Sequence, residues 1–220
     1  MTILSILITY HQAFWQGLLV TLQLCAVIWS VGLVLGTLLG VAATRDRALG
    51  QGLRWLSFAL AGIPVIVLLF WLHYPAQAAF NIVIDPFYTA MVTFAFVNIV
   101  GVSDLVRHAA DELPGQYLIA AKVSGLTRRQ TFRNIELPLL FRGAFPGVLM
   151  LQVSMLHVTL FSSLISVEEI FRVAQRINAS IYKPVEIYTA LAVFFLLVCV
   201  PINLIALRLK QKYMRSLGER

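Results

Sequence analysis

"YLIAAKVSGLTRRQTFRNIELPLL", residues 117–140, is the most polar long segment in a chain that is otherwise mostly apolar. A basic, helix-patterned stretch means one thing in a soluble domain and another between membrane spans, so composition decides first. Of the 220 residues 60% are hydrophobic and 12% charged, with a mean hydropathy of +0.85. Soluble domains run at about half apolar and a quarter charged. The expectation is an all-α integral membrane protein, a single domain over 1–220.

Cys25 and Cys199 both sit in apolar runs without CxxC or Cys/His spacing, so neither a disulfide framework nor a metal site is expected. The start, "MTILSILITYHQAFWQG", lacks the basic region and cleavage site of a signal peptide, and the first span is expected to serve as its own insertion signal.

Five segments supply the roughly 20 apolar residues that a transmembrane helix needs. They fall at about 15–43, 53–74, 86–106, 139–166 and 187–208. In the first, Gly32, Gly36 and Gly40 recur every fourth residue and set a small ridge on one helix face, where another helix can approach closely. Packing against a neighbour is the expected use of that ridge.

Basic residues near span ends stay in the cytoplasm. With the N-terminus outside, Arg45, Arg47 and Arg54 follow the first span on the inner side. Arg107, Lys122, Arg128, Arg129, Arg133 and Arg142 lie between the third and fourth, and Arg208, Lys210, Lys212, Arg215 and Arg220 form the tail. Only Arg172, Arg176 and Lys183 remain outside. The orientation is therefore N-out, C-in, and the net charge of +7 reflects topology and contact with anionic lipid rather than nucleic-acid binding.

The opening stretch thus belongs to the cytoplasm. Pro114 suits a first helical turn, and "GQYLIAAKVS" continues with helix formers. Gly125 suits the left-handed position past a helix end. Thr127 and Gln130 have the spacing of a capping box, so a second helix is expected from there to Pro138. Leu126, Phe132, Ile135 and Leu137 form its apolar stripe, with Arg128, Arg129 and Arg133 elsewhere around it. Spacing alone leaves two uses open: a helix lying on lipid, or a surface for a protein partner.

"IAAKVSGLTRRQTFRNIELP" resembles the EAA loop of permease subunits of ABC importers, in which E-A-A-x-x-x-G is followed by I-x-L-P. Ala120, Ala121, Gly125, Ile135, Leu137 and Pro138 match in register. "GLLVTLQL", "GIPVIVLLFW", "DLVRHAADELPGQ", "VEEIFRVAQRI" and the final span look like the polar amino acid uptake branch, of histidine/glutamate/glutamine type, with the glutamate/aspartate subgroup as the best match. The resemblance implies a type I ABC importer permease fold in a bacterial inner membrane. It also implies two permease subunits around one pathway, two cytoplasmic ATPase subunits, and a periplasmic or tethered solute-binding protein. The coupling loop, about 112–138, would meet the ATPase through Ala120, Ala121, Gly125, Arg128, Arg129, Ile135 and Pro138. No G-x-x-x-x-G-K-[ST] occurs in the chain, so ATP and magnesium belong to the ATPase, and this subunit has no cofactor or catalysis of its own.

Departures from the family pattern are specific. Ile119 stands where the motif has Glu, Ala61 where F-R-x-x-P has Arg, and Asp104 for a Glu while Arg107 is retained. "HVTLF", 157–161, replaces K-D-T-S-L. Several polar groups that would face solute are absent, so the chain is expected to be one half of a heterodimeric permease.

Ionisable groups inside a membrane are costly and default to functional candidates. His157 near mid-span is the first choice for the substrate pathway, although a hydrogen bond to a neighbouring helix is its simpler use. Gln152, Ser154 and Thr159 would share its surface. Asp104 and Arg107, three apart, are expected to form an ion pair, with Asp104 kept as a further pathway candidate. Outside, Ile170, Val173, Ala174 and Ile177 have helical spacing, with Glu169, Arg172 and Arg176 paired along another face.

A membrane-embedded enzyme fares poorly, because His11, His73, His108 and His157 are scattered. A secondary transporter or channel is the alternative and predicts repeats or broken helices. No repeat is present, and Pro64 and Pro201 are the prolines read as lying well inside spans.

Overall fold

A computed structural model describes residues 2–218, with side chains described through Tyr213. Arg220 and the side chain of Arg215, both counted in the basic tail, lie outside the described residues. Every regular element among those residues is helical. In chain order they are α1 (Ile3–Thr9), α2 (His11–Ala43), α3 (Arg47–Ala61), α4 (Val65–His73), α5 (Pro75–Phe80), α6 (Pro86–Asp111), α7 (Gly115–Val123), α8 (Arg128–Thr131), a π-helical turn (Phe132–Glu136), α9 (Leu137–Thr159), a 3₁₀ segment (Leu160–Ile165), α10 (Ile170–Ile181) and α11 (Pro184–Gly218).

Among the described residues four helices are long and apolar enough to cross a membrane, and up to five if one bent pair counts as a span. The all-α expectation therefore holds, but the second expected span is not one straight rod. Instead of a helix over 53–74, α3 and the stretch Val65–Phe80, which holds α4 and α5, meet at 93°. Pro64 lacks an N–H and its ring disfavours helical backbone at Ile63, so the helix ends at Gly62 and restarts beyond the proline. Asp46 starts α3 by accepting the N–H groups of Ala48 and Leu49 at 2.8 and 3.2 Å.

Helix α6 is the centre of the bundle: 56% of its most apolar window is buried within the chain, against 28% for α2 and 17% for α11. The outer helices thus present apolar side chains such as Val34, Leu38, Leu196 and Leu197 to whatever surrounds the chain, as a lipid-facing or subunit-facing surface must. The glycine ridge of α2 lies on α6, the most extensive helix pair. A Cβ on Gly36 would stand 2.8 Å from the Ile99 carbonyl oxygen, and one on Gly40 would stand 2.9 Å from that of Ser103. The ridge is a packing device. Around it Leu24, Ile28, Leu69, Ala90, Phe94 and Met155 form the central apolar cluster.

Two prolines behave differently from the sequence reading. Pro138 does not end the helix that begins at Thr127. The chain runs on through the π turn, in which the Leu137 N–H reaches the Phe132 carbonyl, directly into α9. Widening the turn accommodates the proline ring that would otherwise meet the carbonyl four residues back. Pro146, missing from the prolines read as lying inside spans, is buried within α9, whereas Pro64 sits at the helix break.

Candidate functional site

The loop from Glu112 to Pro138 is built as two helical pieces on a left-handed joint. Helix α7 ends at Ser124, and Gly125 takes φ +73°, a conformation that glycine adopts without steric cost. The Leu126 N–H then returns to the Ala121 carbonyl at 3.1 Å. Next comes the capping box: Thr127 N–H donates to Gln130 Oε1 at 2.9 Å, and Gln130 N–H to Thr127 Oγ1 at 3.4 Å.

Of the motif residues, Ala121 is buried and holds α7 down, while Ala120 is exposed. Leu118, Ile119 and Val123 are exposed as well, Ile119 at 66%. Arg128 and Arg129 are exposed beside this apolar patch, Ile135 is half-buried, and Pro138 is exposed at the entry to α9. The seven loop candidates therefore do not converge on one point. Arg128 and Arg129, with Leu118, Ile119 and Val123, form an outward-facing basic and apolar surface, and Ala121 lies beneath it.

Behind this surface lies a cavity of 1780 Å³. Its lining includes Arg128, Arg129 and Arg133 from the loop, and Arg45, Arg47 and Arg54 from the α2–α3 connection and α3. Arg107 is buried at the same cavity, and an ion-pair chain crosses it. Arg107 donates to Asp104 and, at 3.3 Å, to Asp111, which also takes Arg54 at 3.3 Å. His108 stands 3.4 Å from Asp104. Asp104 is thus held in a network at one end of α6, and the expected ion pair with Arg107 forms.

The other pathway candidates also separate. Gln152 is buried and exchanges hydrogen bonds with Asn98 at 3.0 and 3.2 Å, and Asn98 also donates to the Ile28 carbonyl at 2.9 Å. The Thr159 hydroxyl donates to the Leu156 carbonyl in its own helix at 2.7 Å. Only His157 and Ser154 are exposed; the shared surface expected of Gln152, Ser154, Thr159 and His157 does not form. Residues 152 and 159 are seven apart and fall on one side of α9, whereas 154 and 157 fall on another. His157 Nε2 lies 3.3 Å from Cys199 Sγ on α11, with Phe195 edge-on at 6.1 Å. The neighbouring-helix hydrogen bond thus has its partner.

Sequence reasoning missed Asn98 and Glu169. An amide in the apolar run "FAFVNIVGV" was a visible signal, since a polar group inside a span needs a partner. The sequence spacing puts Glu169 in a charged row, but Arg172 and Arg176 reach Glu168 instead, at 3.9 and 2.7 Å. Glu169 is fully buried, and its carboxylate caps α10 by accepting the N–H groups of Phe171 at 2.9 Å and Arg172 at 2.7 Å. Burial pushes its carboxyl up to about 7, although those two N–H groups pull the other way and Glu168 adds repulsion. The folded state thus holds a proton that the unfolded chain releases near 4.5. Its contribution to stability is complete below that value and fades as pH rises through about 7. Wild-type protein should melt about 5 °C lower at about pH 8 than at about pH 5.5, with Glu169→Gln flattening the profile, as thermal unfolding in detergent would show.

The family model for binding-protein-dependent transport system inner membrane components matches residues 32–215. The chain belongs to this family. Among curated relatives, the glutamine transport system permease protein of Escherichia coli is 28% identical over 199 residues, covering 90% of this chain and 91% of that one. The histidine/lysine/arginine/ornithine transport system permease protein of Salmonella typhimurium is 26% identical over 209 residues, covering 90% and 92%. An L-cystine transport system permease protein of Bacillus subtilis is 28% identical over 204 residues, covering 89% and 86%. The fold is shared with the crystal structure of an amino acid ABC transporter, at TM-score 0.84 and 18% identity over 96% of this chain and 99% of that one. It is shared also with the methionine ABC transporter MetNI in inward-facing conformations, at TM-score 0.71 and 17% identity over 93% and 98%. The chain has the type I ABC importer permease fold expected from its loop. As a member of this permease family it is a transport subunit, not an enzyme, and ATP hydrolysis falls to a separate subunit. The secondary-transporter and channel readings lose their footing.

Proposed function

We propose that this chain forms one half of the translocation pathway of an importer for a polar amino acid, glutamate, aspartate or similar. Its basic end faces the cytoplasm of a bacterial inner membrane. The observation that carries the coupling role is the exposed surface of Leu118, Ile119, Val123, Arg128 and Arg129, which nothing in the described chain covers. Its second piece, α8 with Arg128 and Arg129, runs through the π turn into α9 without a break in the helix, so movement imposed there would pass into the bundle. Amino acid specificity is supported by the curated relatives, which carry glutamine, basic amino acids or cystine. ATP and magnesium stay on the ATPase, and a periplasmic binding protein delivers the solute.

The heterodimeric arrangement is supported by the fate of the polar groups within the bundle. Asn98, Gln152 and Thr159 bond to one another or to backbone inside this chain, leaving His157 and Ser154 exposed. A solute site needs several convergent polar groups, and a second, different permease would supply the remainder. In proteoliposomes holding the chain, its ATPase and the binding protein, glutamate uptake should require the second permease. Efficient uptake without it would overturn the heterodimer.

A further inference from the structure

The arginine-lined cavity is only half accounted for by coupling, because Arg45, Arg47 and Arg54 belong to the α2–α3 connection and α3, outside the coupling segment. We propose that it is a binding site for the phosphate headgroup of an anionic phospholipid from the cytoplasmic leaflet. Seven arginines and two carboxylates, Asp111 and Glu136, line it. Asp111 already serves Arg54 and Arg107. No carboxylate partner is found among the described residues for Arg45, Arg47, Arg128, Arg129 or Arg133, and so many like charges around one cavity favour an entering anion. Guanidinium groups from two separate segments of the chain suit a phosphate, whose oxygens can accept paired N–H bonds from a guanidinium.

Position selects a lipid over a free ion. Ala43 and Leu140, at the basic ends of spans α2 and α9, lie on the cavity rim, which puts the arginines at headgroup level in the proposed orientation. Trp55 and Phe58 of α3 line the same cavity and are 65% and 74% exposed, an aromatic flank of the kind that sits at membrane interfaces. A phosphate among the arginines would leave the glycerol and first methylenes against these two rings. Arg45 stacks on Phe132 with 3.7 Å to the ring centroid, so the occupied cavity would tie the α2–α3 connection to the coupling segment.

The assignment rests on the orientation but not on ATPase docking, and its test is separate. The full chain would be purified from nanodiscs of equal phosphatidylglycerol and phosphatidylcholine, and its retained lipid measured by native mass spectrometry. Phosphatidylglycerol should be enriched, and Arg45→Gln with Arg47→Gln should cut that enrichment about tenfold. The tail pair Lys210→Gln with Lys212→Gln should leave it intact, each variant judged on protein that remains monodisperse. Equal enrichment in wild type and the double variant would overturn the site. So would its displacement by millimolar inorganic phosphate, which would reveal a free-anion pocket, or its disappearance when the ATPase binds, which would make the cavity part of a protein interface.

Discussion

Gly36→Leu is expected to leave almost no folded, monodisperse chain after detergent extraction. Even the first added carbon would stand 2.7 Å from Val102 Cβ and 2.8 Å from the Ile99 carbonyl oxygen, where optimal carbon contacts lie at about 3.5–4.0 Å. The obstructing atoms belong to the neighbouring helix and include its backbone, so no rotamer change relieves the clash. The α2–α6 seam must open. Extra methylenes in an adaptable core cost about 1–3 kcal/mol. A seam forced apart along a ridge shared by Gly32, Gly36 and Gly40 should exceed about 4 kcal/mol, enough to remove the fold. Gly52→Ala is the contrast: nothing lies within 4 Å of its added carbon, and α3 should gain up to about 1 kcal/mol of helix propensity. Fluorescence-detected gel filtration with a thermal ramp would separate the two. A Gly36→Leu chain as stable as wild type would mean that α2 and α6 do not pack through the ridge.

How much of this was legible in the sequence depended on whether the signal was local. The ridge, the Thr127–Gln130 box, the Gly125 joint and the buried stripe of α10 are set by residues within a few positions of each other, and they formed as read. Prolines were harder. The ring at Pro64 coincides with a break between α3 and α4, whereas the ring at Pro138 is absorbed by a π turn; the sequence around each is compatible with either outcome. Burial was hardest. Gln152 and Thr159 differ from His157 only by which side of α9 meets α6, and that depends on how three helices pack together. Glu169 was opaque for the same reason: glutamate and its neighbour Glu168 look equivalent until one turns inward to cap a helix.

The second large effect concerns the loop. Arg128 and Arg129 are exposed, open the second loop helix, and lie beside the apolar patch of Leu118, Ile119 and Val123. No carboxylate among the described residues pairs with either. Where the motif has Glu, Ile119 offers an apolar side chain, so in the proposed coupling role the arginines would be the principal charged contact of this half. Replacing both by glutamate places like charges against any acidic cleft that receives the loop, and such juxtapositions cost several kcal/mol. The fold should be spared, because neither side chain is buried, and Thr127 and Gln130 still close the cap.

The most direct measurement is therefore co-purification of the ATPase with a tagged chain, read together with ATP-dependent uptake of glutamate in proteoliposomes. The proposal expects Arg128→Glu with Arg129→Glu to lower both at least about tenfold, while Lys210→Glu with Lys212→Glu in the tail changes neither. Full ATPase recovery and undiminished uptake in the loop variant, at wild-type thermal stability, would contradict the coupling role assigned to residues 112–138.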